Sequence, residues 1–161
     1  MLRLRNPKPD DDTPLSVLLV SAFGQANEWT LVQDLRAGGH VADELLAEDD
    51  DGLVGHVCLS RLDAPQGWLA LGPVAVRTED QGKGIGSELV RYALDRARQA
   101  HAKAVVVVGD PNYYGRFGFV FGGPARLQSL YPAEYTGLFP IAAETASAVV
   151  ALAYPAPFAD V

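Results

Sequence analysis

Three glycines alternate at positions 82, 84 and 86 in the string Gln81-Gly82-Lys83-Gly84-Ile85-Gly86. They sit where an apolar run, residues 69–76, hands over to an amphipathic one, residues 87–100. The apolar run reads as a strand and the amphipathic one as a helix, so the join must be a tight turn. Glycines let such a turn pack several backbone N–H groups with no side chains in the way. Those groups lie at a helix N-terminus, where the dipole favours negative charge. The turn therefore predicts a pyrophosphate cradle and a nucleotide-like cofactor. A glycine-rich turn that binds nothing is the plainer alternative.

Spacing narrows the choice of cofactor. A nucleoside-triphosphate loop needs Gly-Lys followed by Ser or Thr, and here Lys83 is followed by Gly84. A dinucleotide fingerprint needs its third glycine three positions after the second, and that position is Ser87. What remains is Gln-x-x-Gly-x-Gly. A second string, Asp110-Pro111-Asn112-Tyr113-Tyr114-Gly115-Arg116-Phe117-Gly118-Phe119, follows a strand-like run at residues 104–108. In it a tyrosine, Tyr114, is followed after three residues by Gly118-Phe119.

Together the two strings resemble the acetyl-CoA loop and the core-ending Tyr…Gly-Phe motif of the GNAT N-acetyltransferase superfamily. The wider second string is similar to one bacterial branch of small GNAT proteins, in which Gly-Asp-Pro and Tyr-Tyr-x-Arg-Phe-Gly-Phe occur together. The resemblance implies acetyl-CoA as co-substrate and a single acyltransferase domain over residues 1–161. It implies that Gln81, Gly82, Lys83, Gly84, Ile85, Gly86 and Ser87 hold the pyrophosphate. It also implies that the backbones of Val74 and Val76 pair with the pantetheine arm, and that Tyr114 is the general acid.

Composition sets outer limits. The 161 residues carry 13 basic and 20 acidic side chains, for a formal charge of −7. A nucleic-acid partner calls for a clustered basic surface and is not expected. An acidic surface suits a cationic amine acceptor, small molecule or protein, and suits plain solubility equally. The one cysteine, Cys58, has no internal partner and lies in an apolar run, so it reads as a core residue. The three histidines, His40, His56 and His101, lack metal-ligand spacing, and no metal is expected. Residues 1–12 are charged and proline-bearing, unlike a leader, and no apolar stretch approaches spanning length. The expectation is a cytoplasmic protein, monomer or homodimer, off the membrane.

Along the chain, residues 2–5 read as a first strand. A helix starts at the Asp-Asp-Asp-Thr-Pro string of residues 10–14 and runs to about Phe23. A second helix covers residues 28–36 and closes at Gly38-Gly39. Residues 41–48 form a strand, although residues 44–48 alone could be helical. Strands at 53–62 and 68–76 complete a meander. Ile85, Leu89, Ala93 and Ala97 then mark a core-facing helix. The four valines Val105–Val108 fit a strand buried on both faces. The apolar tail, residues 142–153, could supply a last strand. This order predicts an α/β fold: a mixed, mostly antiparallel sheet with helices on both faces and a splayed parallel pair in the middle.

The chemistry follows from the same strings. Gly72-Pro73 interrupts the strand at 68–76, because proline cannot donate to a ladder, and a splay is expected beside Val74–Val76. The implied reaction is direct attack of a neutral amine on the acetyl thioester. A backbone N–H near the splay would face the developing oxyanion. Tyr114 would protonate the departing thiolate. Tyr113 is expected in the core and Arg116 on the surface. The base is open between Glu28, after the first helix, and Asp110, beside the tyrosine turn. Glu79 and Asp80 are expected to be solvated or to cap the helix. An acetyl-CoA-binding module without turnover, and an enzyme using a longer acyl-CoA, stand as alternatives.

Overall fold

The computed structural model describes residues 1–160. Its elements are β1 (Arg3–Arg5), α1 (Asp12–Phe23), α2 (Asn27–Ala37), β2 (Val41–Asp49), β3 (Gly52–Arg61), β4 (Trp68–Val76), α3 (Ile85–Gln99), β5 (Ala104–Val108), the single turn α4 (Pro111–Tyr114), β6 (Arg126–Gln128), β7 (Thr136–Pro140) and β8 (Val149–Ala151). Six strands form one sheet in the order β1-β2-β3-β4-β5-β7. Every neighbouring pair in it is antiparallel except β4–β5.

Alternation along the strands sends neighbouring side chains to opposite faces. Leu45 meets the α3 side, where Leu89, Val90, Ala93, Leu94 and Ala97 pack with Val57, Leu59, Val105 and Val107. Leu46 meets the other side, where Leu15, Leu18, Leu19 and Val32 of α1 and α2 pack with it and Ala75. Each fully buried leucine contributes about 2 kcal/mol of hydrophobic stabilisation, so both layers are firmly held. Val105, Val106 and Val107 are buried on the two faces as expected, whereas Val108, at the strand end, is exposed.

Residues 44–48 are strand throughout. Glu44 is nonetheless buried, and it accepts hydrogen bonds from Arg36 Nη2 and Nε, both at 2.8 Å, and lies 2.8 Å from His56 Nε2. Burial alone would raise its pKa, but these partners outweigh that and hold it at about 2. The network ties α2 to the sheet.

The tail departs from expectation. A strand does lie within it, β8, but β8 pairs in parallel with β6 in a separate two-stranded sheet. The last strand of the main sheet is β7, in a segment to which the sequence reading assigned none. Glycine and proline at its ends dilute the strand pattern. Gly137 is required there, because a Cβ would run into the Phe121 ring. Asp11 is the N-cap of α1 but gives it no side-chain cap bond: its carboxylate binds Arg5 at 2.8 Å and the Lys8 N–H at 2.6 Å, closing the turn before the helix.

Candidate active site

The parallel pair opens where proline predicts. β4 and β5 pair from Trp68↔Ala104 to Leu71↔Val107 and no further. Residues 72–76 run on beyond the last pair, and the strand they pair with is β3, through Val57↔Val74, His56↔Ala75 and Gly55↔Val76. The edge of β4 facing β5 is therefore open beside Val74 and Val76. This is a gap in which an extended ligand can complete the ladder.

Below this gap the chain turns into α3 through the glycine string. Gly82 and Gly84 have φ of +82° and +85°, a region that L-residues with side chains rarely adopt. Gly84 is the N-cap of α3 and offers no side-chain cap, so the first N–H groups of the helix are left for another acceptor. A cavity of about 520 Å³ lies in front, lined among others by Val76, Gln81, Gly82, Gly84, Gly86 and Ser87. A Cβ on Gly82 or Gly84 would meet nothing within 4 Å, so the space over the turn is open. These residues fit the pyrophosphate end of a coenzyme A molecule: an anion-sized hollow, free N–H donors and a helix N-terminus.

The acids ahead of the turn correct one expectation. Glu79 is solvated, but Asp80 is buried. It binds Arg77, and it accepts from Lys83 Nζ at 3.1 Å. These bonds hold the Asp80 carboxyl below its usual range. Lys83 thus spends its side chain bracing the turn, and only its backbone is left to the cradle. Gln81 likewise donates to Val76 O at 3.3 Å, fastening the turn to the end of β4.

The two tyrosines exchange the places expected of them. Tyr114 packs against the core beneath α3, edge-on to Phe119 with ring centroids 5.8 Å apart. Gly109 makes this possible, since a Cβ there would lie 2.5 Å from the Tyr114 ring. Burial pushes the Tyr114 phenol up to about 12. Tyr113 instead faces the glycine turn, and its hydroxyl would stand 2.9 Å from a Cβ on Gly86. Arg116 is exposed, as expected, yet it is part of this wall. It stacks 4.7 Å from the Tyr113 ring centre and donates to Ser87 Oγ at 3.5 Å. The sequence carried a signal for this, a cation two residues past Tyr114, but its surface reading prevailed.

A second, smaller cavity of about 280 Å³ opens on the far side of Tyr114. Val74 and Tyr114 line both. Glu28, in the first turn of α2, lines the second cavity and accepts from Gln25 Nε2 at 3.3 Å. The structure thus brings Glu28 and Tyr114 to one hollow. Asp110 is elsewhere: it caps α4 by accepting from the Asn112 N–H at 2.9 Å. The rest of this hollow was invisible in sequence. Phe23, Tyr131, Tyr154 and Phe158 line it from positions far apart in the chain. Roomier hollows exist, of about 640 Å³ beside β6 and β8 and about 700 Å³ near His40 and His101, but neither touches Tyr114 or the glycine turn.

Cys58 is buried, and burial raises its thiol to about 12. Among the described residues no cluster of three or more His, Cys, Asp or Glu could hold a metal ion, and no helix is long and apolar enough to cross a membrane.

Comparison with known proteins agrees with this geometry. Residues 10–119 match the acetyltransferase (GNAT) family. The chain is 36% identical over 129 residues, 77% of each chain, to the N-acetyltransferase YhbS of Escherichia coli strain K12. The crystal structure of E. coli YhbS in complex with CoA superposes with a TM-score of 0.91 at 29% identity, covering 98% of this chain and 92% of that one. A GNAT acetyltransferase from Brucella melitensis in complex with acetyl-CoA gives 0.84 at 30% identity, covering 98% of both. With a family match over most of its length, and with the glycine turn and Tyr114 at the mouth of an open parallel pair, the chain belongs to the GNAT family of acetyltransferases.

Proposed function

We propose that residues 1–161 form one acetyl-CoA-dependent N-acetyltransferase domain that acetylates an amine by direct attack, with Glu28 as base and Tyr114 as acid. The observation that carries this reading is the pair of cavities joined at Val74 and Tyr114, one ending at the glycine turn and the other at Glu28. The crystal structures of relatives with CoA and acetyl-CoA support the ligand.

Acetyl-CoA, when bound, supplies an acetyl group on a thioester. The backbone N–H groups of residues 82–87 hold its pyrophosphate at the α3 N-terminus, and Arg116 adds a cation at the rim. The open edge at Val74 and Val76 fixes the pantetheine arm, which orients the carbonyl toward the second cavity. Glu28 takes a proton from the incoming ammonium, directly or through water. Tyr114 keeps its proton at neutral pH, because its pKa is raised; it gives that proton to the departing sulfur and regains one from the nitrogen that forms the amide. All of these groups lie on one chain, which suits a monomer and a homodimer alike. Buried Cys58 takes no part, and a cytoplasmic setting suits both the free thiol and the co-substrate.

The test is release of free CoA from acetyl-CoA with a mixed panel of amines. Glu28→Gln is expected to lower turnover about 10²-fold, the usual worth of a general base. Asp110→Asn is expected to leave turnover within a few-fold, because its carboxylate serves α4. The reverse ranking would move the base to Asp110. Tight CoA binding with no turnover for any amine would leave a binding module instead.

A further inference from the structure

The second cavity says more about the acceptor than that it is an amine. Among the described residues that line it, Glu28 is the one charged side chain. No Lys, Arg or His faces it. The remaining walls are aliphatic and aromatic. Tyr131 and Tyr154 meet edge to face with centroids 5.1 Å apart, and Phe158 continues the wall 5.3 Å from Tyr154. The Tyr154 hydroxyl is buried behind this wall, so the part of Tyr154 that lines the cavity is its ring. Burial raises the phenol to about 12, and Ser129 opposes that rise.

Resting on the reading of this cavity as the acceptor site, we propose that the acceptor is a small primary monoamine on an uncharged, apolar body. Its ammonium pairs with Glu28. The aromatic faces attract the cation and cover its hydrocarbon. A carboxylate next to the amine would be buried against these walls with no cation to meet it, which excludes free amino acids. A second ammonium would lack a second carboxylate, which excludes polyamines. Tyr154 is a specificity residue, since its ring covers the acceptor and not the thioester.

The experiment compares 2-phenylethylamine and isopentylamine with phenylalanine, 1,4-diaminobutane and a short neutral peptide carrying one lysine. Each is measured twice on the full chain: by kcat/KM for CoA release, and by calorimetric binding to the CoA-loaded protein. Phenylethylamine is expected to exceed phenylalanine, the same skeleton plus a carboxylate, by about 10²-fold in both. Tyr154→Leu, which removes the aromatic face, is expected to raise the acceptor KM about 5-fold. In that variant kcat and the acetyl-CoA KM should stay close to those of the parent. Phe23→Arg, at the exposed end of α1, is expected to improve phenylalanine relative to phenylethylamine about 10-fold by supplying the missing cation. Preference for phenylalanine, the diamine or the peptide overturns the proposal and leaves the transferase standing. So does a Tyr154→Leu variant with an unchanged acceptor KM. A panel in which nothing binds or turns over overturns both readings. The predicted binding order without any turnover does the opposite: the acceptor class holds and the transferase reading fails.

Discussion

The cavity at the glycine turn and the cavity at Glu28 share a wall but are built on opposite principles. The first is made of backbone. Its donors are N–H groups, its shape is set by positive φ at Gly82 and Gly84, and more than half of its lining falls within residues 80–87. The second is made of side chains that arrive from α1, α2, β4, β5 and the tail. A backbone-built site suits a ligand part that never varies, because a main chain offers every sequence the same N–H groups. A side-chain-built site suits the part that differs between relatives, because each wall residue can change by itself.

Four measurements press on that division. The largest effect is expected at the turn. Gly84→Asp forces a side chain into φ of +85° and sets a negative charge where a pyrophosphate should sit. Strain of about 1–2 kcal/mol and repulsion of a few more predict a loss of about 10³-fold in CoA affinity by calorimetry. A variant that binds like the parent would show that the site is elsewhere. Tyr114→Phe comes next. It removes only the hydroxyl at the shared wall, so kcat should fall about 10²-fold while CoA affinity holds. An equal fall in CoA affinity would mean that the two cavities are not separable at that residue.

The third measurement leaves both cavities alone and tests the frame behind Glu28. Glu44 is held at about 2 by His56 and Arg36, below the usual glutamate value. A group with a depressed folded pKa stabilises the fold above its unfolded pKa and loses that effect as pH falls through the folded one. Thermal stability should therefore decline between about pH 5 and pH 2, with about 3 kcal/mol attributable to this carboxyl. Glu44→Gln should flatten that decline; an unchanged profile would assign acid sensitivity to other carboxylates such as Asp11. The smallest effect is expected from Cys58→Ala. A small buried side chain is trimmed, at a cost of about 1 kcal/mol in stability, and activity per folded molecule stays put. A folded but inactive variant, or acetyl trapped on Cys58, would replace direct attack with a covalent route.

The same division explains what could be read from the chain. The glycine turn and the Tyr114 string are contiguous, so local spacing revealed them. So did the splay, because Gly72-Pro73 announces it within β4. Reading failed where two residues compete for one role by position alone. Tyr113 and Tyr114 are adjacent aromatics, and only the Gly109 contact, which depends on the turn between them, decides which ring goes inside. Glu28 and Asp110 are both acids near a turn, and only folding shows that one faces the cavity and the other caps α4. Asp80 looked solvated because its partners Arg77 and Lys83 are a turn geometry away. Strand β7 and the aromatic wall escaped for a related reason. Their residues depend on contacts across long sequence separations, which no local pattern records.

The two-stranded sheet of β6 and β8 has a consequence for selectivity. It clamps residues 126–128 to residues 149–151, and its Leu127 and Val150 pack on the core patch formed by Trp68, Ala70, Val106 and Leu138. Tyr131 and Tyr154 each follow one of its strands by three residues, so their edge-to-face meeting is fixed from both sides. A wall set before the ligand arrives loses little motional freedom on binding. It also gives little ground to a ligand of the wrong shape. Acceptor choice in this protein would then be a matter of fit to a rigid mould, with misfits rejected at entry and no closing movement needed to sort them.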